Sequence, residues 1–130
     1  MPSRIDEVLE RARGRLVRVE PGQAAQEHSR GAMLVDTRTE TQRARDGVIP
    51  GALIIDRTVL EWRLDPTSPW RINEASSTDV RVILICNEGY SSSLAAASLQ
   101  DLGLINATDV IGGFQSWRAA GLPVIDAPRA

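Results

Sequence analysis

An α/β fold, a parallel sheet covered by helices on both faces, is what this chain predicts. Three observations carry the expectation. The strongest apolar stretches, around "MLV" (33–35), "ALII" (52–55) and "VILI" (82–85), are short continuous runs. Strands buried on both faces read this way, whereas half-exposed strands alternate. Helix-capable segments lie between the runs. The length, 130 residues, suits one domain with a single core, and no linker divides it.

The elements follow in order. "SRIDEVLERARGR" predicts a short amphipathic helix, with Ser3 as N-cap, acids in the first turn and Gly14 at the end. Ile5, Val8, Leu9 and Ala12 fall on one of its faces. "RLVRV" is a short strand candidate, and a helix starts at Pro21 or Gly22. "AMLVDTR" predicts a buried strand that stops at a charged pair. "TETQRARDG" is helix-capable up to Gly47, and "VIPGALIID" gives a turn and another strand. "TVLEWRL" allows one or two helical turns, and 65–80 reads as loop. "RVILIC" is the clearest strand. "SSSLAAASLQDLG" is the clearest helix, capped by serine and stopped by Gly103. "NATDVIGG" is a strand with a glycine exit, and "FQSWRAAGLPV" a closing helix. Trp62, Trp70 and Trp117 are expected in packing rather than on a binding platform.

Composition excludes several functions. The net charge of −2 argues against a nucleic-acid or anionic-membrane surface. No apolar run approaches the ~20 residues of a membrane helix, and the first residues lack the apolar stretch of a secretory signal. All fifteen basic residues are arginine. Without lysine there is no P-loop and no lysine Schiff base. One cysteine and one histidine, His28, make a structural zinc site an unlikely set, and no metal is expected. His28 reads as a surface residue. The lone cysteine fits a reducing compartment, so the expectation is a cytoplasmic protein.

That cysteine, Cys86, ends the clearest strand and precedes the clearest helix. Ligands of open parallel sheets bind beyond the carboxyl ends of strands. A turn curling around the thiol aims successive backbone N–H groups at the sulfur, and the helix start adds its partial positive charge. Both favour thiolate over thiol. Gly89 suits a tight turn. The competing reading is a small apolar residue at a strand end. "GYSSS" (89–93) also approaches a hydrolase nucleophile elbow. Ser93 stands where that motif has glycine, and His28 precedes the serine, the reverse of that family's order.

Four stretches together resemble a known family: "LVDTR" (34–38), "DGVIPGA" (46–52), "VILICNEGYSSSLAAASLQDLG" (82–103) and "VIGGFQSWRAAGLPV" (110–124). In this order and spacing they resemble the single-domain rhodaneses. The likeness covers residues 24–124, with 1–23 as an N-terminal helix and lead-in. It implies a rhodanese-like, five-stranded parallel sheet with helices on both faces. It further implies a sulfurtransferase in which Cys86 accepts sulfane sulfur as a persulfide and passes it to cyanide or a thiol. The donor would be a small molecule or a protein persulfide, and no cofactor is implied. The loop Asn87, Glu88, Gly89, Tyr90, Ser91 and Ser92 would cradle the sulfur through backbone amides. Ser91 or Ser92 could add a hydroxyl, and Tyr90 could wall the pocket. Asp36 and Arg38 match the family's D-x-R stretch, with a structural role.

Two departures stand out. The family's loop arginine is Ser91 here, and its turn histidine is Val48. With Glu88 in the loop as well, an anionic donor such as thiosulfate should bind less well. A phosphatase-type loop would need arginine where Ser92 stands, which argues against oxyanion chemistry. The alternative function is the same fold used as a protein-docking module with a slow Cys86. Oligomeric state is not legible.

Overall fold

The computed structural model describes residues 2–128. Helix α1 (Arg4–Gly14) opens with a reciprocal capping box, Ser3 with Asp6. Leu9 and Ala12 are its buried residues, while Ile5 and Val8 of the expected face stay exposed. α2 (Pro21–Ser29) begins on the proline, whose missing N–H costs nothing in a first turn. Strand β1 (Met33–Asp36) leads to α3 (Glu40–Asp46), entered through a second capping box, Thr39 with Gln42. β2 (Leu53–Ile54) precedes a 3-10 turn (Arg57–Val59) and α4 (Leu60–Leu64). β3 (Val82–Ile85), α5 (Ser91–Asp101), β4 (Ala107–Asp109) and α6 (Gly113–Ala119) complete the chain.

The sheet is parallel, in the order β2-β1-β3-β4. It has four strands among the described residues rather than five. The candidate strand "RLVRV" contributes a single parallel bridge, Val19 to Val110. Val19 makes the ladder bonds there, to the Asp109 carbonyl and from the Ile111 N–H, while Val17 points to solvent.

β3 shows why the continuous apolar run exists. Val82 and Leu84 join the core under α4 and α5, with Leu60, Leu64, Ala96 and Leu99. Ile83 and Ile85 join the core on the opposite face, with Ala24, Phe114 and Trp117. Successive side chains of a strand point to opposite faces, so two cores require apolar residues at every position. Each such side chain contributes on the order of 1.5–3 kcal/mol by burial. Ala95, Ala96 and Ala97 of α5 are buried, and their small side chains let this helix lie close on the sheet. Trp117 is core, as expected. Trp62 and Trp70 are 58% and 66% exposed, contrary to the expectation: α4 offers only Leu60 and Leu64 to the core, and Trp70 lies in the turn-rich loop beyond it.

Register places the chemistry. Asp36, the last residue of β1, sits opposite Ile85, the residue before Cys86. Asp109, the last residue of β4, sits opposite Leu84. Asp36, Asp109 and Cys86, which follows β3, therefore gather at the carboxyl end of the sheet. No helix among the described residues is long and apolar enough to cross a membrane.

Candidate active site at the end of strand β3

The chain leaves β3 at Cys86 and curls through Asn87, Glu88, Gly89 and Tyr90 into α5. Cys86 is 4% exposed and lies at the base of an open cleft of about 380 Å³. Thr37, Arg38, Thr39, Gln42, Arg57, Asn87, Glu88, Tyr90 and Ser91 line the rest of that cleft. Two backbone N–H groups donate to the sulfur, from Gly89 at 3.2 Å and Ser92 at 3.4 Å. Ser92 is the second residue of α5, so the donation comes from the free N–H groups that every helix start leaves unpaired.

The carbonyls of the loop are tied on its outer side. The Phe114 N–H donates to the Cys86 carbonyl at 2.7 Å, and the Gln115 N–H to the Asn87 carbonyl at 3.1 Å. Carbonyl and following N–H point opposite ways in a planar trans peptide. Anchoring the carbonyls to α6 therefore turns the next N–H groups away from α6. The close approach of loop and α6 requires glycine on both sides. Gly89 has φ +85°, and a Cβ there would lie 2.8 Å from the Gly112 nitrogen. A Cβ on Gly113 would lie 2.5 Å from the Cys86 carbonyl oxygen.

The serines are used differently from the expectation. Tyr90, not a serine, is the N-cap of α5, and no side chain caps that helix. Ser92 and Ser93 are buried, and both hydroxyls donate to Asp109 Oδ2 at 2.7 Å. With its only proton committed there, Ser92 Oγ faces the sulfur as an acceptor of the thiol proton, 3.1 Å away. Ser92 donates to the sulfur through its main chain only. Ser91 is exposed at the cleft wall, and Tyr90, 59% exposed, stands at the rim with the Arg13 guanidinium over its ring. Asn87 accepts from Gln115 Nε2 at 3.0 Å, and its amide reaches Glu88 at 3.4 Å.

Asp36 and Arg38 form a fully buried pair at 2.8 Å. The Arg38 Nη2 also donates to the Gly47 carbonyl, and its guanidinium lies 3.6 Å from the centre of the Phe114 ring. This pair joins the end of β1 to the end of α3 and to the helix that anchors the Cys86 carbonyl. One nitrogen, Arg38 Nη1, is buried without a partner among the described residues.

Sequence reasoning missed three residues. Asp109 is completely buried and receives Arg18 in a fork, Nε at 2.8 Å and Nη2 at 3.2 Å. Arg13 and Arg18 both donate to the Gly89 carbonyl, at 2.7 and 3.0 Å. The one available signal was an acid inside the apolar stretch "ATDVIGG", because a carboxylate in a buried strand demands partners. His28 is half-buried rather than on the surface, its ring nitrogens near the Ala32 and Pro50 carbonyls, far in sequence from the loop. No group of three or more His, Cys, Asp or Glu could hold a metal ion among the described residues.

Comparison with known proteins bears on this geometry. Residues 20–120 match the family model described as Rhodanese-like domain. The thiosulfate sulfurtransferase GlpE of Pseudomonas savastanoi is 32% identical over 102 residues, covering 78% of this chain and 87% of that one. A solved structure from Rhodopseudomonas palustris, of unknown function and described as a possible tyrosine phosphatase, has a TM-score of 0.84 at 32% identity. The match covers 96% of this chain and 99% of that one. A rhodanese-related protein from Thermoplasma volcanium has a TM-score of 0.64 at 27% identity, over 83% of this chain and 96% of that one.

Proposed function

Because the chain belongs to the rhodanese-like domain family, we propose that it is a sulfurtransferase working through a persulfide on Cys86. The observation that carries the reading is the sulfur at the base of an open cleft, receiving two main-chain N–H bonds. The thiolate attacks the outer sulfur of a sulfane donor. A bond forms between Cys86 and that sulfur as the donor's S–S bond breaks, and the donor leaves with the bonding pair, as sulfite or as a thiolate. An acceptor, cyanide or a thiolate, then takes the outer sulfur, and Cys86 departs as thiolate. Each step is exchange at sulfur, so no outside electron carrier enters.

The charges of the cleft bear on the donor. Arg38 is matched by Asp36, and Arg57 donates to both carboxylate oxygens of Glu61. Glu88 has no ion-pair partner among the described residues, its one side-chain hydrogen bond there coming from the Asn87 amide. Among the side chains that line the cleft, the unmatched charge is therefore the Glu88 carboxylate, and the family's loop arginine is Ser91. Thiosulfate, a dianion, should be a poor donor, and a persulfide of a thiol a better one. The possible-phosphatase description of the Rhodopseudomonas relative finds less support. The position that would hold a phosphate-gripping arginine is Ser92, buried against the Asp109 carboxylate.

Thiocyanate formation tests the reading. Wild-type protein should turn over a persulfide donor faster than thiosulfate, and Cys86→Ser should be inactive with both. Glu88→Gln should raise kcat/KM for thiosulfate by about two- to fivefold, as expected for one partly solvated charge of 0.5–1 kcal/mol. Unchanged thiosulfate kinetics in Glu88→Gln would contradict the electrostatic account. Retained activity in Cys86→Ser would contradict the mechanism.

A further inference from the structure

The N-terminal segment lies before residue 20, where the family match begins, yet it reaches the underside of the sulfur loop. Arg13 leaves the last turn of α1 and donates from Nη2 to the Gly89 carbonyl at 2.7 Å and from Nε to Ser93 Oγ at 3.2 Å. Arg18 donates to the same carbonyl at 3.0 Å while its fork holds Asp109. Two guanidiniums on one carbonyl oxygen, beside a buried carboxylate, are more than packing needs.

Their effect follows from peptide geometry. The Gly89 carbonyl shares its plane with the Tyr90 N–H, and the two point in opposite directions. Turning this plane over would change ψ at Gly89 and carry Tyr90 from φ −97° into the left-handed region, which a side chain disfavours, so the plane yields by tilting rather than by a full flip. Held from the α1 side, the carbonyl leaves the Tyr90 N–H facing away from α1. Released, the same plane can tilt and take its donor off the cleft. The carbonyls of Cys86 and Asn87 are already held by α6, so this is the remaining plane of the loop whose anchor comes from side chains.

We infer that Arg13 and Arg18 are positioning residues for Cys86: they lock the Gly89–Tyr90 peptide with its N–H turned towards the cleft and its carbonyl away from it, and so favour an anionic sulfur against the Ser92 Oγ acceptor and the Glu88 carboxylate, which favour the thiol. Arg18 at the same time neutralises Asp109, which leaves Arg13 as the free positive charge beneath the loop. The inference rests on Cys86 being the nucleophile of the sulfur-transfer reading. Its readout is alkylation, so it can fail while sulfur transfer stands, and sulfur transfer can fail while it stands.

The rate of Cys86 alkylation by iodoacetamide, followed against pH on the full chain, tests it. Arg13→Ala should slow alkylation at neutral pH about tenfold and move the midpoint of the pH profile up by about one unit, one change read in two ways. Arg13→Lys, which keeps a charge and one donor, should recover most of the rate. Arg15→Ala, on the same segment but paired with the exposed Asp101, should match wild type. Where alanine prevents folding, Arg13→Gln is judged by the same midpoint. A folded Arg13→Ala or Arg13→Gln with the wild-type rate and midpoint overturns the inference, as does a shift of equal size in Arg15→Ala. A variant that only lost stability would lower the melting temperature and leave the midpoint where it was.

Discussion

Gly89 carries two demands at once. Its φ of +85° excludes ordinary side chains, and the space where a Cβ would sit is filled by the backbone of Gly112 and Gly113. Backbone atoms cannot rotate aside as a flexible side chain can. Gly89→Ala should therefore cost at least the 1–2 kcal/mol of the left-handed conformation and displace the N–H that donates to the sulfur. Chemical denaturation will read the first effect and alkylation kinetics the second. Much of this residue-scale detail was legible. Cys86, the glycine of the turn and the main-chain cradle follow from a strand, a turn and a helix in immediate succession. What was not legible came from distance: Arg13 and Arg18 lie 76 and 71 residues from the carbonyl they hold. The serines misled for a different reason. Three hydroxyls at a helix start read as caps, but Tyr90 takes the cap position, so Ser92 and Ser93 fall inside the first turn and give their protons to the buried carboxylate on β4.

At the scale of elements, β3 is the part on which both cores depend. Leu84 is fully buried between α5 and the sheet. Leu84→Ala should cost about 2–5 kcal/mol, the range for a buried leucine whose surroundings cannot collapse into the void. A midpoint shift in urea with unchanged slope will measure it, whereas a loss below 1 kcal/mol would mean that the packing around β3 is loose. The elements carrying a continuous apolar run or a capping signal were legible in sequence: α1 through Ser3 and Asp6, β3 through "VILI", α3 through its exit at Gly47. "RLVRV" reads as a short strand, yet it pairs at Val19 alone. Arg18, the neighbour of Val19, is drawn in to Asp109 and the Gly89 carbonyl, and Leu16 turns into the core under α5. The chain there follows the demands of the loop rather than the ladder. The exposed Trp62 and Trp70 had no sequence signal that separates a surface tryptophan from a core one.

The molecule as a whole is held at its edges by ion pairs that acid should dissolve. Hydrogen bonds from Arg45 and Gln115 hold the Asp46 carboxyl well below the ordinary 3.8, at about 2. Asp46 joins α3 to α6 through Gln115 and Arg118. The Arg81 hydrogen bond lowers Glu27, and bonds from Thr58 lower Asp56. Burial pushes Glu61 up, but Ser98, its own backbone and Arg57 together leave it below the usual value. A carboxylate with a depressed folded value binds fewer protons folded than unfolded, so falling pH favours unfolding. Stability should be level at and above about pH 5 and fall steadily between about pH 4 and pH 2. Urea midpoints across that range check the window, and a flat profile down to pH 2 would contradict it. Fold, pairs and loop serve one claim, that the sulfur of Cys86 is held ready to take up another sulfur atom. The most direct measurement is the intact mass of the protein after incubation with a sulfane donor and removal of excess reagent. The account predicts a gain of one sulfur atom, removed by cyanide and absent in Cys86→Ser. A native protein that takes up no sulfur from either thiosulfate or a persulfide donor would contradict it.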